Sequence, residues 1–298
     1  MDNFRIPLGE VSEDGIDWII ANLDGFFSVL RTIFIEMYDA IYLVLSTPGF
    51  AVVAILIGLI ALLARGWQFM LGSVVGLLVI LGVDQWENAM STLALVIVAA
   101  FWALVIALPL GIWAAKSDGF SQVIRPVLDF LQTMPAFVYL IPALMLFRVG
   151  VAPGIVATII FALAPGVRFT ELGIRSVDRE VVEAGQAFGS SPGRILRQIQ
   201  LPLALPTIMA GVNQVIMLSL SMVVIAGMVG AGGLGGDVIS SLSRLDTALG
   251  VEAGLAVVIL AMILDRLTNA FGRQSGVFAL FARKRKAART AREQQLAA

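Results

Sequence analysis

The sequence predicts an all-α polytopic membrane protein with about seven membrane-spanning helices, preceded by an amphipathic helix. Of the 298 residues, 59% are hydrophobic and only 14% are charged, whereas soluble domains are about 45–50% apolar and about 25% charged. The mean hydropathy is +0.93. Because the charged residues cluster, they leave apolar stretches of about 17 to 25 residues, the length that a helix needs to cross a bilayer.

The first predicted element is the amphipathic helix, in the segment IDWIIANLDGFFSVLRTIFIEMYDAIYLVL. Apolar residues such as Ile19, Leu23 and Phe26 recur every three to four positions, and charged residues such as Asp24 and Arg31 take the opposite face. This pattern predicts a helix that lies along the outer membrane surface with its apolar side down. The alternative is a first helix that is buried in the bundle with an imperfect face.

Seven spans follow, and the distribution of basic residues predicts their orientation. The spans are expected at 48–64, 69–83, 93–115, 127–147, 150–167, 206–230 and 250–264. With the N-terminus outside and the C-terminus in the cytoplasm, 16 of the 20 Lys and Arg residues fall on the inner side, as the positive-inside rule requires. The basic C-terminal tail is then a topology anchor near anionic lipid, and nucleic-acid binding is not expected.

The loop between the fifth and sixth spans is long and charged, and it is patterned as two short helices. Asp178 is placed to cap the first helix, and Gly189 to end it. Ser191 and Pro192 form a cap and first-turn pair for the second helix. The apolar stripe of this loop suits docking into a groove on another protein. The pattern is equally consistent with a stripe that folds back onto the bundle.

The same loop resembles the EAA loop of bacterial ABC-importer permeases. The resemblance rests on Glu183-Ala184-Gly185, Gly189, Ile199 and Leu201-Pro202 at the family spacing, with Gly185 in place of the usual second alanine. Around the loop, QTMPAFVYLIPALMLF, IIFALAPGVRFTELGI, QLPLALPTIMAGVNQVIMLSLSMVVIAGM and VVILAMILDRLT resemble the ProW-type permeases of glycine betaine/proline uptake systems. Arg148 is a departure, because the family pattern leads us to expect a small residue there.

The resemblance implies a domain division and a set of coupling residues. The type I transmembrane domain is expected at 88–268, with the EAA loop at 178–202. An extracytoplasmic tail with the amphipathic helix (1–47) and two accessory helices (48–87) precede it, and a basic cytoplasmic tail (269–298) follows. The residues implied to contact the ATPase are Glu183, Ala184, Gly185, Phe188, Gly189, Ile199, Leu201 and Pro202.

The resemblance also implies partners that this chain does not contain. In the family, two permease copies form the pathway, two cassette ATPases bind the EAA loops, and an extracytoplasmic binding protein delivers the substrate. The sequence has no G-x-x-x-x-G-K-[ST] motif, so ATP and Mg²⁺ are expected on the separate ATPase. We expect no cofactor, metal or catalytic residue in this chain, and thus a permease subunit and not an enzyme.

Polar residues within the fourth and sixth spans are candidates to line the pathway, because such residues tend to face a cavity or a neighbouring helix. For each of them an interhelical hydrogen bond is an equally good interpretation. Pro135 is expected to kink the fourth span together with Pro142. Asp129 is expected to pair with Arg125 one turn before it. The pathway candidates are Gln132, Thr133, Pro135, Tyr139, Asn213, Gln214, Ser219 and Ser221.

The run MVGAGGLGGD contains G-x-G-x-x-G, the fingerprint of a dinucleotide site. The preceding apolar run is the end of a predicted span and not a strand, so the match is interpreted as a false positive. The resemblance implies a glycine-rich turn at the external mouth, with Gly232, Gly233 and Gly235 as an outer gate near the docked binding protein.

The resemblance implies the permease subunit of an importer for quaternary-ammonium osmolytes such as glycine betaine, proline betaine or choline, in the bacterial inner membrane. The alternatives are an ABC permease for another small zwitterion or amino acid, and an ion-coupled secondary transporter. Secondary transporters are expected to show internal repeats and buried carboxylates or histidines, and neither is evident in the sequence.

Overall fold

The computed structural model describes residues 8–272 of the chain, and every regular element in that range is helical. The all-α fold class is therefore confirmed. A π-helical segment, Leu196–Gln200, joins two of the α-helices. The α-helices are α1 Leu8–Ser46, α2 Gly49–Arg65, α3 Trp67–Gly82, α4 Trp86–Lys116, α5 Asp118–Thr133, α6 Ala136–Phe147, α7 Val151–Arg175, α8 Arg179–Ala187, α9 Pro192–Ile195, α10 Leu201–Gly227, α11 Gly233–Arg244 and α12 Thr247–Gly272.

Helices α4, α7 and α10 form the centre of the bundle, and small residues let them approach closely. A Cβ atom on Gly111 of α4 would lie 2.5 Å from the Thr170 Cβ of α7, and one on Gly166 would lie 2.7 Å from the Ala107 Cβ. The surrounding core contains Ala99, Ala103, Ile155, Val215 and other fully or nearly fully buried residues. In a membrane, where lipid is as apolar as the core, such close packing is a main source of helix association.

The fourth predicted span, 127–147, is two helices and not one. Helices α5 and α6 meet at an angle of 97°. Met134, the residue before Pro135, takes an extended conformation with ψ of 134°, as steric conflict with a following proline ring favours. The predicted kink is therefore a complete break.

The number of helices that could span a bilayer differs from the predicted seven. Five helical segments within residues 8–272 are long and apolar enough, and six qualify if α5 and α6 together make one span. Helices α2 and α3 have only 17 and 16 residues and are grouped with shorter apolar helices. Crossing at that length requires local thinning of the bilayer or an extended connection.

Helix α1 is 39 residues long and combines an exposed half with a packed half. Trp18 and Phe26 in its first half are 64% and 58% exposed. In the second half, Phe34 and Tyr38 are buried in the central core, and the Tyr38 hydroxyl lies 2.7 Å from Ser91 Oγ of α4. By length and composition α1 is also a candidate span. The first half of α1 is therefore exposed on the single chain and the second half packs on the bundle, whereas the placement of α1 along the outer membrane surface stays a prediction.

Candidate functional site

The segment between α7 and α10 folds as a helical hairpin, which we call the elbow (residues 178–202). An Asp178 carboxylate oxygen accepts a hydrogen bond of 3.0 Å from the Glu180 backbone N–H and so caps α8. At the other end, the Phe188 N–H donates to the Ala184 carbonyl, and the Ser190 N–H donates to the Gly185 carbonyl. Gly189 has a φ of +73°, a left-handed conformation that favours glycine at a helix C-terminus.

The second arm of the elbow begins at Pro192 and continues into α10. Ser191 is the N-cap residue and Pro192 lies in the first turn, as predicted. The Ser191 side chain makes no capping hydrogen bond, and its carbonyl accepts from the Arg194 and Ile195 N–H groups. The π-helical segment ends two residues before Pro202, whose ring would clash with the preceding turn of a regular α-helix. Pro202 and Pro206 therefore lie within one continuous helical segment, Pro192–Gly227.

The apolar residues of the elbow divide between an inner and an outer side. Gly185 faces the second arm, where a Cβ would lie 2.7 Å from Ile199 Cδ1. Phe188, at the tip, is 90% exposed, and Glu183, Ala184 and Gly189 are exposed as well. Ile199 and Leu201 are partly buried, while Pro202 is exposed. The outer side is therefore not folded back onto the bundle.

An ion-pair cluster lies where α5 meets the end of α7, next to the elbow. Glu171, only 4% exposed, accepts hydrogen bonds from Ser121 Oγ (2.7 Å) and from Arg125 (2.8 Å). Arg175 binds Glu171 at 2.9 Å and Asp118 at 2.7 Å. Asp129 pairs with Arg168 and not with Arg125, so the expected Asp129 and Arg125 pair is wrong. The charges cross-link α5 to α7 beside a cavity of about 370 Å³.

Replacing Glu171 with glutamine is expected to lower the free energy of unfolding by about 1–2 kcal/mol. The buried side chain would then accept weaker hydrogen bonds from Ser121, Arg125 and Arg175. The cost should stay below that of a fully buried pair, since the Arg125 and Arg175 side chains are 58% and 34% exposed and can be solvated. Thermal unfolding of the purified protein in detergent measures it. The matched control is Asp129→Asn, whose pair is exposed on both sides and should contribute under about 1 kcal/mol; equal effects would contradict the assignment.

The structure does not gather the eight pathway candidates at one place. Tyr139 is 6% exposed and packs with Leu140, Ala157 and Met222. Ser219 is fully buried and donates to the Val215 carbonyl of its own helix. The candidates that are exposed on the single chain are Gln132, Thr133, Pro135, Gln214 and Ser221.

Asn213 belongs to a polar cluster between α10 and α12 that the sequence did not predict. Its amide nitrogen donates to an Asp265 carboxylate oxygen at 3.1 Å, and its oxygen accepts from Thr268. Asn269 also donates to Asp265, at 2.8 Å. The alternative of an interhelical hydrogen bond therefore describes Asn213. The Asp265, Thr268 and Asn269 spacing of i, i+3 and i+4 was the available signal, because it places all three on one face of a helix.

The glycine run forms a tight turn between α10 and α11 that is fastened to α4. Gly232 and Gly233 have φ of +71° and +62°. The Leu234 N–H donates to Thr92 Oγ1 at 2.9 Å, and Asn88 donates to an Asp237 carboxylate oxygen at 2.6 Å. Gly235 is buried against α10. Since no strand occurs within residues 8–272, the run lies in an all-helical setting and not in the βαβ unit of a dinucleotide site.

Comparison with known proteins identifies this arrangement. Residues 107–275 match the family model of the binding-protein-dependent transport system inner membrane component. The chain is 47% identical over 270 residues to the glycine betaine/proline betaine transport system permease protein ProW of Escherichia coli (strain K12), covering 91% of this chain and 76% of that protein. It is also 47% identical over 274 residues to the glycine betaine/carnitine transport permease protein GbuB of Listeria monocytogenes serotype 1/2a (strain 10403S), covering 91% of this chain and 97% of the relative.

A solved structure shares the fold. An inward-facing conformation of the MetNI methionine ABC transporter superposes with a TM-score of 0.59 at 21% identity, covering 64% of this chain and 95% of the other. The family match begins within α4 and extends past the start of α12. The chain therefore belongs to the family of binding-protein-dependent transport system inner membrane components, the multi-pass inner-membrane permeases of ABC importers.

Proposed function

We propose that this chain is the permease subunit of an ATP-driven importer of glycine betaine and related quaternary-ammonium osmolytes, such as proline betaine and choline. The observation that carries the proposal is the 47% identity, over 91% of the chain, to two permeases that are named for glycine betaine transport. A relative named for trimethylamine N-oxide, at 42% identity over 71% of the chain, supports the same class of small methylated solutes.

The pathway in this proposal lies between two copies of the chain. Gln214 and Ser221 lie seven residues apart on the exposed side of α10, a spacing that places them on one helix face. Gln132, Thr133 and Pro135 are exposed at the break between α5 and α6. Polar groups at membrane depth favour a water-filled cavity over lipid. A second copy that covers these surfaces would enclose a pathway lined from both sides.

Coupling in this proposal runs through the elbow to a separate ATPase, which holds the ATP and Mg²⁺. Phe188 is an apolar side chain with 90% exposure in a short, capped hairpin, a combination that suits an anchor for a partner's groove. Glu183, Ala184 and Gly189 surround it on the exposed side. ATP closure of two bound ATPases would move the two elbows together and shift the bundle toward its outward-open state.

The proposed orientation places the elbow in the cytoplasm, the C-terminus inside and the N-terminus outside. Arg168, Arg175, Arg194 and Arg197 lie at or near the elbow, which agrees with the positive-inside rule. The glycine turn then faces the outer side. Gly232, Gly233 and Gly235 would shape the outer gate, close to where an extracytoplasmic binding protein delivers its substrate.

Reconstitution tests the proposed function. The chain, its ATPase and its binding protein are placed in liposomes, and glycine betaine uptake and ATP hydrolysis are measured. We expect betaine to accelerate hydrolysis and uptake to continue when ionophores collapse the ion gradients. Uptake that stops with ionophore while ATP remains would instead support an ion-coupled transporter, and stimulation by an amino acid but not by any betaine would reassign the substrate.

Two substitutions at Gly189 are expected to distinguish the effect of backbone strain on transport from the effect of side-chain size. Gly189 has a left-handed φ, and a Cβ there would meet no atom within 4 Å. Asparagine tolerates this conformation whereas valine does not. We expect Gly189→Val to reduce ATP-dependent uptake at least about tenfold, a coupling loss of about 1.4 kcal/mol, and Gly189→Asn to retain most of it. Equal uptake by both variants at matched expression would contradict the coupling role.

A further inference from the structure

A cavity of about 240 Å³ lies between α3 and α12, away from the proposed pathway. Its α3 wall contains Phe69, Gly72, Ser73 and Gly76, whose i, i+3, i+4, i+7 spacing places them on one helix face. Its α12 wall contains Ile259, Met262, Ile263 and Arg266. Gln68 also lines the cavity. The cavity thus combines polar groups with an apolar slot.

Ser73 is a buried hydroxyl without a protein partner. The residue is 1% exposed, and its Oγ makes no hydrogen bond within the described part of the chain. A buried polar group left in this state costs about 1–3 kcal/mol, so native proteins ordinarily supply a partner from water or a ligand. Because Ser73 lines the cavity, a ligand there can complete its hydrogen bonding.

The charge at the cavity is positive. Arg266 is exposed and forms no ion pair within residues 8–272. The described lining residues include no Asp or Glu. The neighbouring Asp265 is held by Asn213 and Asn269. An anionic group on a ligand would therefore balance the positive charge of Arg266.

One end of the cavity lies near the α2 to α3 turn, where lipid headgroups are expected. Gln68 follows the α2 to α3 turn, which carries Arg65 and Trp67, and Trp67 is 64% exposed. Tryptophan and arginine at a helix turn are typical of the membrane interface. Beyond this level, the bare backbone of Gly72 and the side chains of Phe69 and Ile263 continue the wall.

We propose that this cavity binds an anionic phospholipid. Arg266 and Gln68 bind the headgroup phosphate, the buried Ser73 hydroxyl donates to a lipid oxygen deeper in the cavity, and one acyl chain lies along Gly72, where a Cβ would meet no atom within 4 Å. The lipid joins the accessory helix α3 to α12 of the central bundle. In the orientation of the proposed function this site belongs to the cytoplasmic leaflet, but the binding itself does not depend on which solute is transported.

Lipid retention by the purified transporter tests the proposal. The intact assembly is exchanged into equimolar phosphatidylglycerol and phosphatidylcholine, and the retained lipids are quantified by mass spectrometry. We expect selective retention of phosphatidylglycerol and a loss of about fivefold in Arg266→Gln, the share expected for one cation near a headgroup. Arg244→Gln, at the end of α11 and outside the cavity, is the matched control and should retain the lipid.

A second pair of variants tests the acyl slot. A Cβ on Gly72 would meet no atom within 4 Å, so Gly72→Leu fills the slot without disturbing the helix packing. It should lower phosphatidylglycerol retention as much as Arg266→Gln does. Gly82→Leu is the control, because Gly82 also has open space around its Cβ and does not line the cavity.

Three outcomes would overturn the lipid assignment. One is equal retention of the two lipids, and another is unchanged retention in both Arg266→Gln and Gly72→Leu. The third is a phosphate-only site, in which inorganic phosphate displaces the ligand and Gly72→Leu has no effect. Each of these leaves the proposed transport function standing, because retention is measured without substrate or ATP.

Discussion

Replacing Gly235 with alanine is expected to lower the free energy of unfolding by about 3 kcal/mol or more, the upper range for overpacking a buried site. A Cβ on Gly235 would lie 2.1 Å from the Val223 carbonyl oxygen and 2.8 Å from its carbonyl carbon. These are backbone atoms of α10, so no side-chain rotation can relieve the overlap. On the facing side, a Cβ on Gly227 would lie 2.4 Å from the Gly235 carbonyl carbon.

The neighbouring glycine provides the control for this prediction. A Cβ on Gly236 would meet no atom within 4 Å, and alanine favours a helix over glycine by about 1 kcal/mol. Gly236→Ala should therefore unfold at the wild-type temperature or slightly above it, whereas Gly235→Ala should unfold at a lower temperature and give a lower yield. If both variants unfold at the same temperature, α10 and α11 do not cross as closely as the structure shows.

Replacing Phe188 with alanine is expected to weaken binding of the partner ATPase by about thirtyfold, the effect of losing a hot-spot aromatic of about 2 kcal/mol. The fold should be unaffected, because a side chain that is 90% exposed contributes little to internal packing. ATP-dependent uptake should fall with the affinity, and raising the ATPase concentration should restore much of it. Co-purification and uptake at several ATPase concentrations measure both effects.

The matched control is Leu245→Ala. Leu245 is also apolar and 89% exposed, but it follows α11 and is not part of the elbow. It should leave ATPase binding at the wild-type level. If Phe188→Ala unfolds earlier than Leu245→Ala, Phe188 packs within the protein; if the two variants bind ATPase equally well, the elbow tip is not the contact.

The sequence predicted the helical class, the elbow and the family because each depends on a local pattern. Periodicity places Asp178 at a helix start and Gly189 at its end, and the structure forms both. The match to binding-protein-dependent permeases confirms the resemblance inferred from the loop and its flanking spans. Patterns that recur within twenty residues are visible before any tertiary contact is known.

Features that depend on contacts between distant helices could not be predicted in the same way. Arg125 lies one turn from Asp129, yet it binds Glu171, 46 residues away. The partner was decided by how α5 packs on α7, and a helical spacing carries no information about that. Similarly, proline at position 135 indicated a kink, while the angle of 97° depends on where α6 packs.

The glycine run matches the letters of a dinucleotide-binding motif but does not form that kind of site. Its left-handed residues form a turn, as glycine permits. Position 235, however, requires glycine because a Cβ there would lie 2.1 Å from the backbone of α10. A sequence shows that glycine is present, but only the packing shows which atom excludes a side chain.

The second arm of the elbow and α10 form one continuous helix from Pro192 to Gly227. A movement of the elbow therefore moves the whole helix. At 1.5 Å per residue, its 36 residues extend about 54 Å. A tilt of about 5° at the elbow would displace the far end by about 5 Å over that length. Gln214 and Ser221 lie on the same helix, so the same tilt at the elbow would displace them by about 3–4 Å.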